Sequence, residues 1–228
     1  MKTKKFAVVL SGCGVFDGAE IHEATLTMLA IMKNGGTYQC FAPDIYQHHV
    51  INHLTGKEMI ERRNVLVESA RIARGNIKPL NEFQAKEFDA IIFPGGFGAA
   101  KNLSSVAFEG ADAKINPEVE RAVKEMHNLG KPIGALCISP AVIAAIIRNN
   151  VEVTIGNEKA TAEVIEKMGG RHKTTTHGEV TIDKKNNVFT TPCYMLNANI
   201  LDIEKGAMNV VKEMMDSQLP LVISNWKN

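Results

Sequence analysis

Cys137 has the sequence setting of a catalytic nucleophile. It follows the apolar run Ile133–Leu136 and precedes Ser139-Pro140, where a helix is expected to begin because proline is tolerated in a first helical turn. A cysteine at such a strand-to-helix corner lies outside the sheet, close to the free N–H groups of the helix start. The positive end of the helix dipole favours the thiolate, which is the reactive form. From this segment alone, a small buried core cysteine remains the alternative interpretation.

A glycine-rich loop strengthens the catalytic interpretation. The apolar run Ile91–Phe93 ends at Pro94 and is followed by three glycines within four residues, Gly95, Gly96 and Gly98. In a parallel sheet this loop lies at the same carboxyl edge as Cys137. The backbone N–H groups of Gly96 and Ile138 are therefore expected to converge on one oxygen atom as an oxyanion hole. The alternative is a strand-to-helix turn that needs glycine only for its backbone conformation.

Glu23 is the predicted acid–base partner of Cys137. It lies in the helix after the first predicted strand, Phe6–Leu10, and we expect that strand to neighbour the cysteine strand. The carboxyl group can then reach back over the strand ends. A partly desolvated carboxyl group can stay protonated at neutral pH and donate a hydrogen bond to sulfur. The alternative is an exposed glutamate that interacts only with the helix dipole.

The histidines give a weaker signal. His22 has the best local argument because it is adjacent to Glu23, and we include it among the catalytic candidates, although adjacent helical positions diverge by about 100°. His53 and His177 are the other candidates, and a structural or surface role competes for all three. No histidine set has the spacing of metal ligands. We therefore predict no metal site.

The loop Gly12–Gly18 follows the first strand and opens a helix, as a dinucleotide-binding loop does. Asp17, however, stands where the third glycine of that fingerprint should fall, and its charge would repel a pyrophosphate. We expect the loop to cradle a small carbonyl substrate instead. The predicted substrate-binding residues are Gly12, Gly14, Gly95 and Asn102.

Apolar runs alternate with helical periodicity along the chain. This pattern predicts an α/β fold, a three-layer sandwich with a mainly parallel central sheet. The first helix is expected to be capped by Asp17 with Glu20 completing a capping box. Its buried face is predicted to consist of Ile21, Ala24, Met28, Ile31 and Met32.

The remaining elements follow the same pattern. Strands are predicted at Tyr38–Ala42, Ala90–Pro94, Ile133–Leu136, Val151–Ile155 and His172–Thr176, and a hairpin at Val180–Asp183 and Val188–Thr191. Helices are predicted near Arg62–Ala73, Glu118–Leu129, Ala141–Ile147 and Thr161–Met168, and a last helix is predicted to bury Ile200, Ile203, Ala207, Val210, Val211 and Met214. The segment from about 43 to 75 is an insertion that decorates the site or an oligomer contact, and residues 1–228 form one domain.

Composition narrows the function classes. The 228 residues carry a net charge of +1, with 45% hydrophobic and 22% charged residues, as in soluble globular proteins. The charge gives no reason to expect nucleic acid or an anionic membrane as a partner. No apolar run approaches the length of a membrane span or of a signal-peptide core. The four scattered cysteines fit no disulfide framework, and the cytoplasm is the expected location.

Several motifs in the same order mark a resemblance. Pro94-Gly95-Gly96 followed by Ala135-Leu136-Cys137-Ile138-Ser139-Pro140 resembles the PfpI-like branch of the class I glutamine amidotransferase superfamily. The runs Val9–Glu23, Val50–Gly56 and Gly95–Leu103 are similar to the glyoxalase-like ElbB group within it. The resemblance implies a flavodoxin-like fold and a glutamate at position 23 that contacts the elbow cysteine. It also implies cofactor-free conversion of glyoxal to glycolate, with a homodimer as the usual assembly.

The chain departs from the wider superfamily where histidine is expected. Ile138 stands where many relatives have a histidine directly after the elbow cysteine. Pro192-Cys193-Tyr194 occupies the late loop in which amidotransferases carry a histidine and a glutamate. These departures argue against glutaminase and peptidase activity. Two other classes stay open: a redox sensor that oxidises Cys137, and a non-catalytic subunit that binds a metabolite or a protein, linked to isoprenoid metabolism.

Overall fold

The computed structural model describes residues 3–217; residues 1–2 and 218–228 of the predicted domain lie outside the described residues. Its strands are β1 Lys5–Val9, β2 Thr37–Ala42, β3 Val50–Asn52, β4 Lys57–Met59, β5 Ile77–Pro79, β6 Ala90–Phe93, β7 Ile133–Leu136, β8 Glu152–Val153, β9 Arg171–His172, β10 Thr181–Asp183 and β11 Val188–Thr191. Its α-helices are α1 Ile21–Lys33, α2 Val65–Ile72, α3 Phe97–Lys101, α4 Val106–Glu109, α5 Pro117–Asn128, α6 Ser139–Ile147, α7 Lys159–Lys167 and α8 Ile200–Asp216.

The central sheet is almost entirely parallel. Seven strands lie in the order β10-β11-β7-β6-β1-β2-β5, and only the β10–β11 pair is antiparallel. Such a sheet must be covered on both faces, because its central strands β6 and β7 are apolar throughout. All residues of β6, β7 and β11 are buried. The predicted parallel α/β sheet and its terminal hairpin are confirmed.

Helices complete the other two layers. One apolar cluster joins α1 and α8 to one face of the sheet through residues such as Ala24, Met28, Ile203 and Val210. A second cluster joins α5 and α6 to the opposite face. The buried stripe of α8 follows the predicted spacing except at Ile200, which is 48% exposed in the first turn.

The topology brings four loops to one edge of the sheet. The segments after β1, β6, β7 and β11 all leave from carboxyl ends of adjoining parallel strands. This is where open α/β sheets bind ligands. The predicted direct neighbourhood of the first strand and the cysteine strand is wrong, because β6 lies between β1 and β7. Glu23 therefore reaches the cysteine across the end of β6.

The start of α1 differs from its prediction. Glu20, not Asp17, is the N-cap residue, and its carboxylate accepts a hydrogen bond from the N–H of Glu23. Asp17 instead accepts from the N–H of Ile51, at 2.7 Å, because the loop before the helix lies against strand β3. Ile21 and Met32 are exposed at 45% and 55%. The buried face of α1 is therefore shifted from the predicted one and includes Glu23, Thr27 and Ala30.

The segment between β2 and β5 carries structure that periodicity did not reveal. Besides α2, it contains the short antiparallel hairpin β3–β4. The predicted strands Val151–Ile155 and His172–Thr176 shrink to the two-residue strands β8 and β9, which pair with each other outside the central sheet. Both differences fall in short segments, where too few residues repeat for hydrophobic periodicity to predict a strand or its ends.

Candidate active site

Cys137 lies at a sharp corner between β7 and α6. Its φ of 61° is in the left-handed region, which costs an L-residue roughly 1–2 kcal/mol. The corner is held from both sides. The Cys137 N–H donates to the carbonyl of Thr191 in β11, at 3.0 Å, and the Ser139 hydroxyl donates to the carbonyl of Pro94, at 2.8 Å. The strained backbone is thus fixed by the neighbouring strands and aims the sulfur away from the sheet.

Glu23 is fully buried beside that sulfur. One carboxyl oxygen accepts from the N–H of Gly95, at 2.9 Å, and the other from the N–H of Tyr194, at 3.3 Å. The carboxyl group and the Cys137 thiol are also hydrogen-bonded to each other. Three polar contacts therefore fix the side chain in one orientation.

Glycine at two positions allows this close approach. A Cβ atom at Gly95 would lie 2.3 Å from the Cys137 Cβ and 2.6 Å from a carboxyl oxygen of Glu23. Gly96 has a φ of 95°, and a Cβ there would lie 2.3 Å from the backbone nitrogen of Glu20. Any larger residue would separate the glycine loop from the nucleophile and from the start of α1.

Two backbone N–H groups point at the sulfur. Gly96 and Ile138 each donate a hydrogen bond to Cys137, and both interactions lower the pKa of its thiol. They are the two groups that the sequence predicts as an oxyanion hole. Donors so close to the sulfur are equally close to an oxygen atom bonded to the carbon that the sulfur attacks.

The electrostatics of the cysteine differ from the predicted thiolate. Burial, followed by the negative charge of Glu23, raises the pKa of Cys137 well above its usual value and outweighs the two N–H donors. Burial and the nearby carboxylate of Glu20 raise the pKa of Glu23 to about 8. The predicted protonation of Glu23 at neutral pH agrees with this value. The two groups are hydrogen-bonded and titrate as a pair, and loss of one proton leaves a single shared negative charge.

His22 lies on the solvent side of this cluster. Its Nδ1 atom is 2.9 Å from the Tyr194 hydroxyl and 3.9 Å from Glu20, while half of the side chain is exposed. No hydrogen bond or ion pair joins it to Cys137 within the described part of the chain. His22 therefore contacts the site through Tyr194, because adjacent helical positions place it on another face than Glu23.

The other histidine candidates lie elsewhere. The Nε2 atom of His53 accepts from the N–H of Phe16, at 3.2 Å, within the loop before α1. The Nε2 atom of His177 is 3.0 Å from the carbonyl of Asn197. Both histidines hold loops together, and neither contacts the cysteine. The sequence did not single out the Tyr194 N–H that binds Glu23, since a backbone donor has no residue-type signature.

The predicted substrate-binding residues have their polar groups already engaged. The N–H of Gly12 donates to the Ser69 hydroxyl, and that of Gly14 to the carbonyl of Ala19. The N–H of Gly95 donates to Glu23. The Asn102 amide donates to the carbonyls of Ser11 and Asp17 and accepts from the His48 N–H. These groups shape the loops around the site rather than point into it.

A pocket of about 350 Å³ opens at the cysteine. Cys137 and Gly96 form its base. Its walls are Val15, Phe97, Ile138, Thr161, Tyr194 and Met195. A small substrate in this pocket would meet the sulfur and the two N–H donors together.

No group of three or more histidine, cysteine or carboxylate side chains within residues 3–217 is placed to hold a metal ion. None of the helices formed there is both long enough and apolar enough to cross a membrane.

Comparisons with known proteins show relatives over most of the chain. The DJ-1/PfpI family matches residues 15–191. The chain is 47% identical over 222 residues to the human protein described as glutamine amidotransferase-like class 1 domain-containing protein 3, mitochondrial, covering 93% of this chain and 82% of that protein. It is 37% identical over 231 residues to the zebrafish (Danio rerio) ES1 protein, mitochondrial, covering 92% and 84%.

Two solved structures extend the comparison. The crystal structure of an isoprenoid biosynthesis protein with an amidotransferase-like domain from Ehrlichia chaffeensis has a TM-score of 0.88 and 40% identity, covering 93% of this chain and 98% of that chain. DJ-1beta of Drosophila melanogaster, at 14% identity and a TM-score of 0.54 over 93% of this chain and 91% of its own, shows the shared fold alone. With most of its length matched by the family and by close relatives, the chain belongs to the DJ-1/PfpI family.

Proposed function

We propose that this chain is a cofactor-free, glyoxalase-type enzyme that converts small 2-oxoaldehydes to 2-hydroxy acids, glyoxal to glycolate being the simplest case. One observation carries the proposal. The Cys137 thiol and two N–H donors line one pocket, and the buried Glu23 carboxyl group is hydrogen-bonded to that thiol. Nucleophile, acid–base group and oxyanion donors are the groups that this rearrangement needs.

The reaction begins with addition of sulfur to the aldehyde. As the Cys137 Sγ atom bonds to the aldehyde carbon, Glu23 takes the thiol proton and the N–H groups of Gly96 and Ile138 stabilise the developing oxyanion. The oxyanion then takes this proton from Glu23, which completes a hemithioacetal and leaves Glu23 ionised for the next step. No oxidant is consumed in this step.

The second stage is an internal redox step. Glu23 carries the carbon-bound proton of the hemithioacetal to the adjacent carbon through an enediolate, so that one carbon is oxidised while its neighbour is reduced. The product is a 2-hydroxy thioester on Cys137. Water attacks its carbonyl carbon, the C–S bond breaks, and the free thiol and the 2-hydroxy acid are released. In the net reaction, one 2-oxoaldehyde and one water molecule give one 2-hydroxy acid.

Glu23 suits both stages because its pKa of about 8 lies close to neutral pH. A general acid–base group works best when its pKa is near the operating pH. Burial produces this value in a carboxyl group that would otherwise be ionised.

The finer assignments rest on resemblance. We propose membership of the ElbB group and a homodimer in the cytoplasm. The relatives named above are called mitochondrial, and the Ehrlichia protein is described as an isoprenoid biosynthesis protein. We therefore also propose that the protein has a role linked to isoprenoid metabolism.

The first test is glycolate production from glyoxal by the wild type and by Cys137→Ala, in an amine-free buffer because amines trap glyoxal. Cys40→Ala is the matched control, since Cys40 is a buried cysteine in the middle of β2. Multiple turnovers are expected in the wild type and in Cys40→Ala, but not in Cys137→Ala. Equal rates in all three proteins, at the level of buffer alone, would refute the glyoxalase proposal.

The redox sensor is the second candidate. It is favoured by the lack of any histidine contact with Cys137 among the described residues, and by N–H donors that could bind a sulfenate oxygen. Peroxide titration with mass readout tests it. Stoichiometric, reversible oxidation of Cys137 without glyoxal turnover would favour the sensor, whereas turnover would favour the enzyme.

A further inference from the structure

The walls of the pocket above Cys137 do not match glyoxal. Glyoxal is two bonded carbonyl groups without a side chain, and it needs only the sulfur and the N–H donors of Gly96 and Ile138. The pocket holds about 350 Å³, which at about 30 Å³ per water molecule is room for roughly ten waters. Most of this volume lies beyond the reach of the reacting carbons.

The side chains around that extra volume are mainly apolar. Val15 comes from the loop after β1, Phe97 begins α3, Ile138 lies at the elbow and Met195 follows β11. The polar wall residues are Thr161 and Tyr194, and both are already engaged. The Thr161 hydroxyl is bonded to Glu158, and the Tyr194 hydroxyl to His22. An apolar wall of this kind discriminates between substrates by the apolar group that it buries.

We propose that the preferred substrates are 2-oxoaldehydes with an apolar substituent on the keto carbon, such as an alkyl chain. The aldehyde carbon lies against Cys137 Sγ, and the substituent contacts Val15, Phe97 and Met195. This inference rests on the proposed glyoxalase function and specifies its substrate class.

The first experiment compares kcat/KM for glyoxal, methylglyoxal and 2-oxohexanal in the wild type. Each methylene buried against an apolar wall is worth roughly 4-fold in kcat/KM, and 2-oxohexanal has three more methylenes than methylglyoxal. We expect 2-oxohexanal to exceed methylglyoxal by on the order of 100-fold. Comparison of these two ketoaldehydes limits differences in intrinsic carbonyl reactivity. A ratio of one or less would overturn the inference and leave the glyoxalase function standing.

Substitutions at Val15 test the wall directly. Val15→Phe fills part of the pocket and should lower the 2-oxohexanal to methylglyoxal ratio about 10-fold, whereas Val15→Ala should keep or raise it. Val67→Phe is the matched control, because Val67 is 60% exposed on α2 and the same change there adds bulk to a surface outside the pocket. An equal fall in the ratio for Val67→Phe and Val15→Phe would overturn the assignment.

A binding measurement separates this inference from the activity. Calorimetry with the Cys137→Ala protein compares glycolate with 2-hydroxyhexanoate, the products of the shortest and longest substrates. Binding of 2-hydroxyhexanoate at least about 10-fold more tightly, lost in the Val15→Phe, Cys137→Ala double variant, supports the apolar subsite. Equal affinity for the two acids overturns it. No turnover of any aldehyde, together with the expected binding, would refute the proposed function and not the subsite.

Discussion

Cys137 and Cys40 are both buried cysteines at parallel strands, yet their surroundings differ. Cys40 lies within β2, is fully buried, and contacts the Met28 sulfur at 3.6 Å; burial raises its pKa to about 12. Cys137 comes directly after strand β7, and burial likewise raises the pKa of its thiol. It has, however, two N–H donors, a carboxyl partner and a pocket. Burial alone gives an inert thiol. At Cys137, the segments that follow the strand ends also supply the N–H donors, the carboxyl partner and the pocket that a reaction requires.

The largest expected effect comes from removing the acid–base group. Glu23→Gln should lower kcat for glyoxal by roughly 10²–10⁴-fold, because the amide cannot exchange a proton with the sulfur. In the wild type, kcat/KM should rise with pH through about 8 as Glu23 loses its proton. Steady-state rates between pH 6 and 9 measure both effects. Unchanged activity of Glu23→Gln would mean that the reactivity that distinguishes Cys137 from Cys40 does not depend on the carboxyl group.

Thiol labelling sharpens the comparison without any substrate. In a Cys13→Ala background, which removes the partly exposed thiol, iodoacetamide should label Cys137 on the order of 100-fold faster than Cys40. Only Cys137 of the two lines a pocket. Peptide mass spectrometry over time measures the rates. Similar rates at the two positions would show that labelling proceeds through global unfolding.

The free energy of unfolding should depend on pH because Glu23 ionises differently in the folded and unfolded states. Its folded pKa of about 8 exceeds the ordinary value of 4.5, so the folded state binds more protons than the unfolded state between these values. The free energy of unfolding should therefore fall as pH rises through this window, by on the order of 1 kcal/mol per unit. Urea titrations between pH 5.5 and 7.5 measure it. The free energy of unfolding of the wild type minus that of Glu23→Gln should fall as pH rises, because glutamine does not ionise; a constant difference would contradict the assignment.

The smallest effect is expected at the solvent side of the site. Tyr194→Phe removes the hydroxyl bonded to His22 but keeps the N–H that binds Glu23. We expect a loss in kcat/KM of about 3-fold, and the same loss in His22→Ala and in the double variant, since one hydrogen bond is removed in each case. A loss of about 100-fold in His22→Ala alone would instead place that histidine in the reaction itself.

The sequence predicted the parts of the site that local signals define. Cys137 stands between an apolar run and Ser139-Pro140, and Gly95-Gly96 stands after another such run, so both corners and the parallel sheet could be inferred. The pairing of Glu23 with the cysteine was predicted, but its path across β6 was not, because strand order depends on packing over the whole chain.

Other features had no local signal. The raised pKa of Cys137 depends on burial by α1 and by the segment after β11, which only the assembled fold provides. The N-cap of α1 is Glu20 and not Asp17, because the N–H of Ile51 in the β3–β4 hairpin donates to the Asp17 carboxylate. Residue types at helical spacing could not show that competition.

The hydrogen bond between Glu23 and the Tyr194 N–H has a consequence for how the protein is made. Its two residues are 171 positions apart in the chain. A ribosome adds residues at roughly 5–20 per second, so Glu23 emerges many seconds before the group that fixes it. Strand β11, which holds the Cys137 corner, is also among the last to be made. A nascent chain therefore carries Cys137 before the hydrogen bonds that hold its corner and its Glu23 partner can form, and the complete site arises only when synthesis is nearly finished.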